Sequence, residues 1–356
     1  MMKKKIPMTS RPTISIACAF KNLIFTSLFF SLSAQAFEYQ EYEKKIKNGY
    51  SLRSVVDKLP KNDLEQSLRD FVASGRPSRV MGSPGHARAQ VYLEKKLQSF
   101  NNKGATFSKQ SFTTTDKKDG VNFIWEKKGA TASSDVIILG ANYDTLLKDQ
   151  KTHQPVLKGE MPGADNNGSG VAILLSMIDI INKLEVPKTI KVVFYDCEEF
   201  GGAGSKEFAQ KMKTEMGTQK IVGVINLSML AHDSKIGDKE HKMGNMNIYL
   251  QPRDLPGHEA SGIFGQMIVE SGKRNYSSVE FLPKETFSGD FFPSTSEHFW
   301  AQGIPAVTMT QNRDGDLNPR YMSSNDFVET LNLNTYTNVF KYVTSSVLAW
   351  DYDIVK

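Results

Sequence analysis

The 356 residues are 39% apolar and 23% charged. That is ordinary globular composition, with enough apolar side chain for a large core, and the length suits one large α/β domain or two smaller ones. The formal charge of +5 comes from the first 36 residues, whose five bases meet no acid; the rest carries 39 bases against 39 acids, so the overall charge does not point to nucleic acid, and the sequence shows no basic patch interleaved with aromatics.

In chain order, Lys3, Lys4, Lys5, Arg11 and Lys21 lead into the apolar run LIFTSLFFSL (Leu23–Leu32) and then Ala34-Gln35-Ala36. A basic start, a short apolar stretch and small residues before a cut site predict a secretory signal peptide cleaved after Ala36. Ten apolar residues are too few to span a bilayer. The expected product is exported, periplasmic or secreted. Losing Cys18 with the leader leaves Cys197 as the sole cysteine, so packing rather than a disulfide must hold the fold.

Residues 37–78 read as a polar, helical extension, with Tyr50, Leu52, Val55, Val56 and Leu59 at helical spacing and a second helix around Leu64–Ala73. Gly82-Ser83-Pro84-Gly85 predicts a turn and His86–Phe100 an amphipathic helix. Alternating segments at Thr106–Thr113 and Val121–Glu126 predict antiparallel edge strands. From residue 135 the runs DVIILGA, KTIKVVFYD, KIVGVINLS and PAVTMTQ alternate with helical stretches at Gly170–Leu184, Ser205–Met212, Gly257–Ser271 and Leu331–Trp350. This pattern predicts a three-layer α/β/α sandwich around a mixed, mostly parallel sheet, with residues 79–356 as one domain. Leu147–Glu160 has the character of an inserted loop.

Sites in open α/β sheets form at the carboxyl ends of the strands. Collected there are Asn142 and Asp144, then Asp196, Glu198 and Glu199, then Ser228, while PGADNNGSGVA (Pro162–Ala172) brings Asp165 ahead of a helix. Five carboxylates in one place repel and call for a cation. Each also has a structural reading: Asp165 as a helix N-cap, Glu198-Glu199 as a solvated turn, Cys197 as core filler, and His153, His232 and His298 as surface or core histidines rather than recruited ligands.

The segments GANYDT (Gly140–Thr145), PGADNNGSGVA, VVFYDCEEFGGAGS (Val192–Ser205), INLSM (Ile225–Met229), SEHFWAQGIPAV (Ser296–Val307) and YMSSNDFVETLN (Tyr321–Asn332) occur in this order. Together they resemble the co-catalytic zinc exopeptidase family of bacterial leucyl-type aminopeptidases and, more distantly, glutaminyl cyclases. The resemblance runs from about residue 79 to the end. It implies Asp165 as a metal-bridging aspartate, Glu199 as a metal ligand, Glu198 as general base, Asp144 as the residue orienting a ligand, and Glu297 and His298 in the substrate pocket. It also implies ligands at three positions that hold Asn142, Ser228 and Met322 instead, so both histidines of the set are replaced. Zinc is the cofactor the family implies; the remaining oxygen donors suit a weakly held divalent cation or none. The expected partner is a peptide or protein with a free amino terminus. Two functions follow: a catalytically impaired or metal-free pseudo-peptidase that binds peptide amino termini, or an active metallo-aminopeptidase, with the cyclase ranking lower because Met322 replaces its last histidine.

Overall fold

The computed structural model describes residues 52–58, 61–101, 104–149, 151–152, 154–156, 158–234, 245–275, 279–289 and 295–355. The expected signal peptide, the rest of the region before residue 52, and His153 lie outside the described residues.

Two short helices come first, α1 (Leu52–Val56) and α2 (Lys61–Ser74), then α3 (Pro84–Ser99), which Ser83 caps by accepting from the His86 amide at 3.1 Å. The strands β1 (Ala105–Thr113), β2 (Asp119–Lys127) and β3 (Asp135–Asn142) follow. A two-residue pairing of β4 (Leu147–Lys148) with β5 (Pro155–Val156) folds the inserted loop into a small hairpin. Then come α4 (Gly170–Ile181), β6 (Thr189–Tyr195), α5 (Ala203–Glu215), β7 (Lys220–Ser228), β8 (Asn245–Tyr249), α6 (His258–Asn275), β9 (Glu280–Lys284), α7 (Ser296–Trp300), β10 (Ala306–Gln311) and α8 (Leu333–Asp351).

The large sheet runs in the order β1-β2-β6-β3-β7-β10-β8-β9. Its centre, β6-β3-β7-β10, is parallel, as is the β8/β9 pair, while β1/β2, β2/β6 and β8/β10 are antiparallel. This is the mixed, mostly parallel sheet expected. The expected pair of edge strands resolves differently: β1 lies at one edge, but β2 is covered by β6, and the other edge is β9. The sequence patterns did not mark β8, β9 or α7, because five-residue segments carry little periodicity.

Alternation along the central strands divides the core in two. Ile137, Leu139, Ala141, Ile225, Leu227, Val307 and Met309 face α2, α3, α4, α6 and α8. Val136, Ile138, Val193, Tyr195, Val224 and Ala306 face the opposite way, against Phe208 and Met212 of α5 and Phe299 and Trp300 of α7. Burial on both faces explains why β3 reads as an unbroken apolar run. Helix α4 is apolar on nearly every side and buried along its length, as such a helix must be. The polar helices before residue 79 share this core: Leu52, Val55, Val56, Leu64, Leu68, Phe71 and Val72 pack with α4 and α8. Among the described residues no helix is long and apolar enough to cross a membrane.

Candidate functional site

Four central strands end at the same edge of the sheet, and a cavity of about 420 Å³ opens there. It is lined by Asn142 from the end of β3, Glu198 and Glu199 after β6, Ser228 and Met229 at the end of β7, and Met322 and Tyr321 from the segment after β10. Glu297 and His298 of α7 complete it, with Lys148 and Arg313 also on its walls. Most of the positions collected from the sequence therefore meet in one cavity.

Asp165 does not line it. The turn at Gly163 adopts a left-handed conformation (φ +58°), and a Cβ there would meet Thr145, the Asn166 carbonyl and Arg79, so the tight loop requires glycine. Beyond it the backbone leaves helical geometry at Asn166 and Asn167, which sends neighbouring side chains in different directions. Asp165 turns inward and is fully buried. Its carboxylate accepts from the Ala231 amide at 3.0 Å and from Asn318 Nδ2 at 2.9 Å. This is neither a helix cap nor a group facing Glu199. Asn166 takes the place expected of Asp165: it lines the cavity, and its Nδ2 donates to Glu199 Oε1 at 2.9 Å.

The other amides are equally engaged. Asn142 Oδ1 accepts from Asn167 Nδ2 at 2.8 Å, and Asn142 Nδ2 lies 3.3 Å from both the carbonyl and the Oδ1 of Asp144. Asp144 Oδ2 accepts from the Glu199 amide at 3.0 Å, so this carboxylate positions an asparagine and the Glu199 backbone. Glu198 is held by the Ser205 amide at 2.7 Å, the Ser205 hydroxyl at 2.8 Å and the Thr295 hydroxyl at 3.0 Å. Gly202, with φ +66°, leaves room for the His298 ring, which a Cβ would strike at 2.2 Å.

Beneath the cavity lies a charged layer. Arg79 is fully buried and donates to the carbonyls of Tyr143 (2.8 Å), Pro162 (2.6 Å) and Gly163 (2.9 Å), while its guanidinium lies 4.7 Å from the Phe71 ring centre. Asp326 accepts from the Asp165 amide at 3.0 Å and the Asn166 amide at 3.0 Å, fixing the loop. Asp196 sits apart from the cavity, bonded to His86 Nε2 at 2.8 Å and the Val121 amide at 3.0 Å. The five carboxylates thus separate: Asp144, Glu198 and Glu199 at or beside the cavity, Asp165 beneath it, Asp196 away from it.

Burial decides most of the acidities. It pushes Asp144 up to about 6, with Asp196 adding to it, and Asp326 up to about 7, with Asp165 adding. Burial likewise raises Glu198 to about 8 and Glu199 to about 7; the Ser205 amide opposes the first, Asn166 the second. Arg79 falls to about 10 because burial disfavours its charge, although Asp326 and Asp144 support it. Burial would raise Asp196 too, but the hydrogen bond and charge of His86 outweigh it and leave its pKa lowered. His298 is lowered by burial and by Lys206.

The remaining histidine and cysteine sit elsewhere. His232 Nε2 lies 3.3 Å from Asp316 Oδ1 and does not line the cavity. Cys197 is buried with its sulfur 3.4 Å from Met81 Sδ, in keeping with core filler. Among the described residues no group of three or more His, Cys, Asp or Glu side chains is arranged to hold a metal ion. Sequence reasoning missed Asn166, Asn226, Thr295 and Thr310 on the cavity wall; the alternation Thr308-Met309-Thr310 within an otherwise apolar strand was a signal available for one of them.

The chain matches the model of peptidase family M28 over residues 122–347. A protein named probable leucine aminopeptidase from Arthroderma benhamiae is 24% identical over 306 residues, covering 82% of this chain and 72% of that one. A probable zinc metalloprotease from Pyrenophora tritici-repentis is 22% identical over 219 residues, 57% of this chain and 49% of its own. Among solved structures, the Legionella pneumophila LapA aminopeptidase superposes with a TM-score of 0.67 at 18% identity, covering 88% of this chain and 76% of that one. The Porphyromonas gingivalis glutaminyl cyclase does so with a TM-score of 0.63 at 17% identity, covering 81% and 97%. At these identities the superpositions speak for the fold alone.

Proposed function

The chain belongs to peptidase family M28, and from that premise we propose that it is an exported, peptidase-fold protein that binds peptide amino termini without metal-dependent hydrolysis. The hydrogen bond from Asn166 Nδ2 to Glu199 Oε1 carries this reading. Where the family resemblance implies a cation between the loop and Glu199, an amide proton meets the carboxylate.

The donor set around the cavity does not fit zinc. A catalytic zinc takes about three protein ligands, with nitrogen or sulfur donors usual among them. The corresponding positions offer Asn142, Asn166, Ser228 and Met322, and Glu199 is the one carboxylate. The Asn142 oxygen is already occupied by Asn167, and a thioether suits zinc poorly. The chain's own groups instead favour capture of a cation of organic origin. Glu199 and Glu297 face the cavity and complement a peptide ammonium group through charge-assisted hydrogen bonds. The basic, apolar and small-residue order of the first 36 residues supports export.

Calorimetry with a pentapeptide and its amino-acetylated twin tests the proposal. Acetylation removes the ammonium charge and is expected to weaken binding at least about 10-fold, the scale of one charge-assisted hydrogen bond. No aminoacyl-nitroanilide is expected to turn over. Equal binding of the two peptides, or turnover abolished by a chelator, contradicts it.

A further inference from the structure

Two cations share the cavity with its carboxylates, and the fold brings each there by a separate route. Lys148 comes from β4 of the small hairpin, where Leu147 pairs with Val156 and Lys148 with Pro155. The Lys148 amide donates to the Met322 carbonyl at 3.1 Å. The inserted loop is thereby fastened to the segment after β10, with Leu146 and Lys148 on the cavity wall. Arg313 follows the end of β10, where the Gln311 amide donates to the Met229 carbonyl at 3.0 Å. Its guanidinium stands 5.2 Å from the Tyr321 ring centre, and its Nη1 lies 3.6 Å from Met229 Sδ. Tyr321 and Met229 both line the cavity. Asp314, next in the chain, turns to Lys284 at 2.8 Å.

Both cations act on Glu199. Burial and the charge of Asp144 raise its carboxyl, while Asn166, Lys148 and Arg313 pull it back. The cavity thus presents charges of both signs, Glu199 and Glu297 against Lys148 and Arg313. A ligand with a lone ammonium group meets the carboxylates but is repelled by the cations, and one with a lone carboxylate meets the reverse. A ligand that carries both groups is matched on both sides. A guanidinium takes a carboxylate through two parallel hydrogen bonds, and a lysine ammonium adds a point charge. At about 420 Å³ the cavity stands near the small end of ligand sites, so both charges must come from the first residue or two of the ligand.

From this arrangement we infer that the cavity selects ligands presenting an ammonium group and a carboxylate together, with Lys148 and Arg313 as the specificity-determining residues. The inference rests on the proposal that the cavity receives a peptide amino terminus, and adds the second charge that such a ligand must bring. The carboxylate comes either from an acidic side chain on the first residue or from the carboxyl terminus of a dipeptide; its chemistry at Lys148 and Arg313 is the same. A lysine-led peptide would instead bring a second cation beside these two and is disfavoured.

The test titrates two pairs of ligands calorimetrically into the full chain, the members of each pair differing by one charge. One pair is a pentapeptide led by glutamate or by glutamine and otherwise identical; the other is alanylalanine as free acid or as carboxamide. At least one acid is expected to bind about 10-fold or more tighter than its neutral twin, the scale of one charge-assisted hydrogen bond. A preference within the pentapeptides assigns the carboxylate to the side chain, and one within the dipeptides assigns it to the terminus. K148M and R313Q should each lower that ratio several-fold. R313K, which keeps the charge but not the planar fork, should lower it less than R313Q. A merely structural loss would weaken both members of a pair alike and leave the ratio unchanged. Equal or weaker binding of both acids, with amino-acetylation still weakening binding, overturns this inference and leaves the proposed function standing. An acid preference that survives both K148M and R313Q also overturns it, by removing its residues. Failure of every ligand to bind overturns both.

Discussion

The cavity wall and the layer beneath it come from the same loops, yet they are built of different chemistry. Beneath, Arg79, Asp326, Asp165 and Asp144 are ionisable side chains that bond backbone groups: three carbonyls for Arg79, two amides for Asp326, the Ala231 amide for Asp165, the Glu199 amide for Asp144. On the wall, Asn142, Asn166, Ser228 and Met322 are neutral and contact side chains or the cavity. A carboxylate that fixes a loop is retained for folding whether or not the cavity performs chemistry. Familiar acidic residues in a motif are therefore weak testimony to activity until the structure shows which way each one points.

The largest expected effect comes from reversing the wall. The combined changes Asn142→His, Asn166→Asp, Ser228→Asp and Met322→His should raise zinc affinity by on the order of 10³-fold or more, since even a supporting partner of a ligand is worth 10–100-fold. Calorimetry reads this directly. The same variant with Asn166 left in place should bind more weakly. If the two bind alike, Asp165 rather than residue 166 serves the metal, and the division between wall and lower layer is misdrawn.

The lower layer should answer in stability rather than binding. R79M leaves three carbonyls without a donor, and D326A leaves the Asp165 and Asn166 amides without an acceptor. Each is expected to cost about 3–5 kcal/mol in urea unfolding, as for one partner lost from a buried charged arrangement. A loss below about 1 kcal/mol, the range of ordinary surface changes, would show that the layer does not hold the loops.

A buried carboxylate outside both regions provides a reference. Asp351 accepts from the Lys188 amide at 2.9 Å, and burial pushes it up from 3.8 to about 7, against the pull of that hydrogen bond. The folded state then holds an extra proton between these values. Stability from this group is full below about pH 4 and is lost as the pH rises through 7. At about 1.4 kcal/mol per unit of pKa, the decline is on the order of 2–4 kcal/mol, and D351N should flatten it in unfolding titrations from pH 4 to 8. An unchanged slope in the variant assigns the pH dependence to other groups.

The smallest effects belong to single changes on the wall. S228A and M322L should alter stability by less than about 1 kcal/mol, because neither removes a bond that fixes backbone. A loss comparable to that of R79M would erase the contrast between the two regions.

The fold was largely legible because the central strands are apolar on both faces and alternate with helices. What escaped was short or non-local: β8, β9 and α7 have five residues each. The site was legible in its strand-end positions, so Asn142, Glu198, Glu199, Ser228 and Met322 meet as their order suggested. The direction of Asp165 was not, because Asp326, some 160 positions later, fixes the amides of Asp165 and Asn166. No local pattern in PGADNNGSGVA carries that information. Asp196 was misplaced for the same reason, since His86, 110 positions earlier, draws it away from the cavity.

An amide proton of Asn166 meets Glu199 where the family resemblance implies a metal ion. The most direct test is the metal content of the purified, dialysed chain, measured by mass spectrometry after incubation with excess zinc. Zinc far below one equivalent and no retention on dialysis are expected. Zinc held stoichiometrically through dialysis, and lost from E199Q, would contradict this.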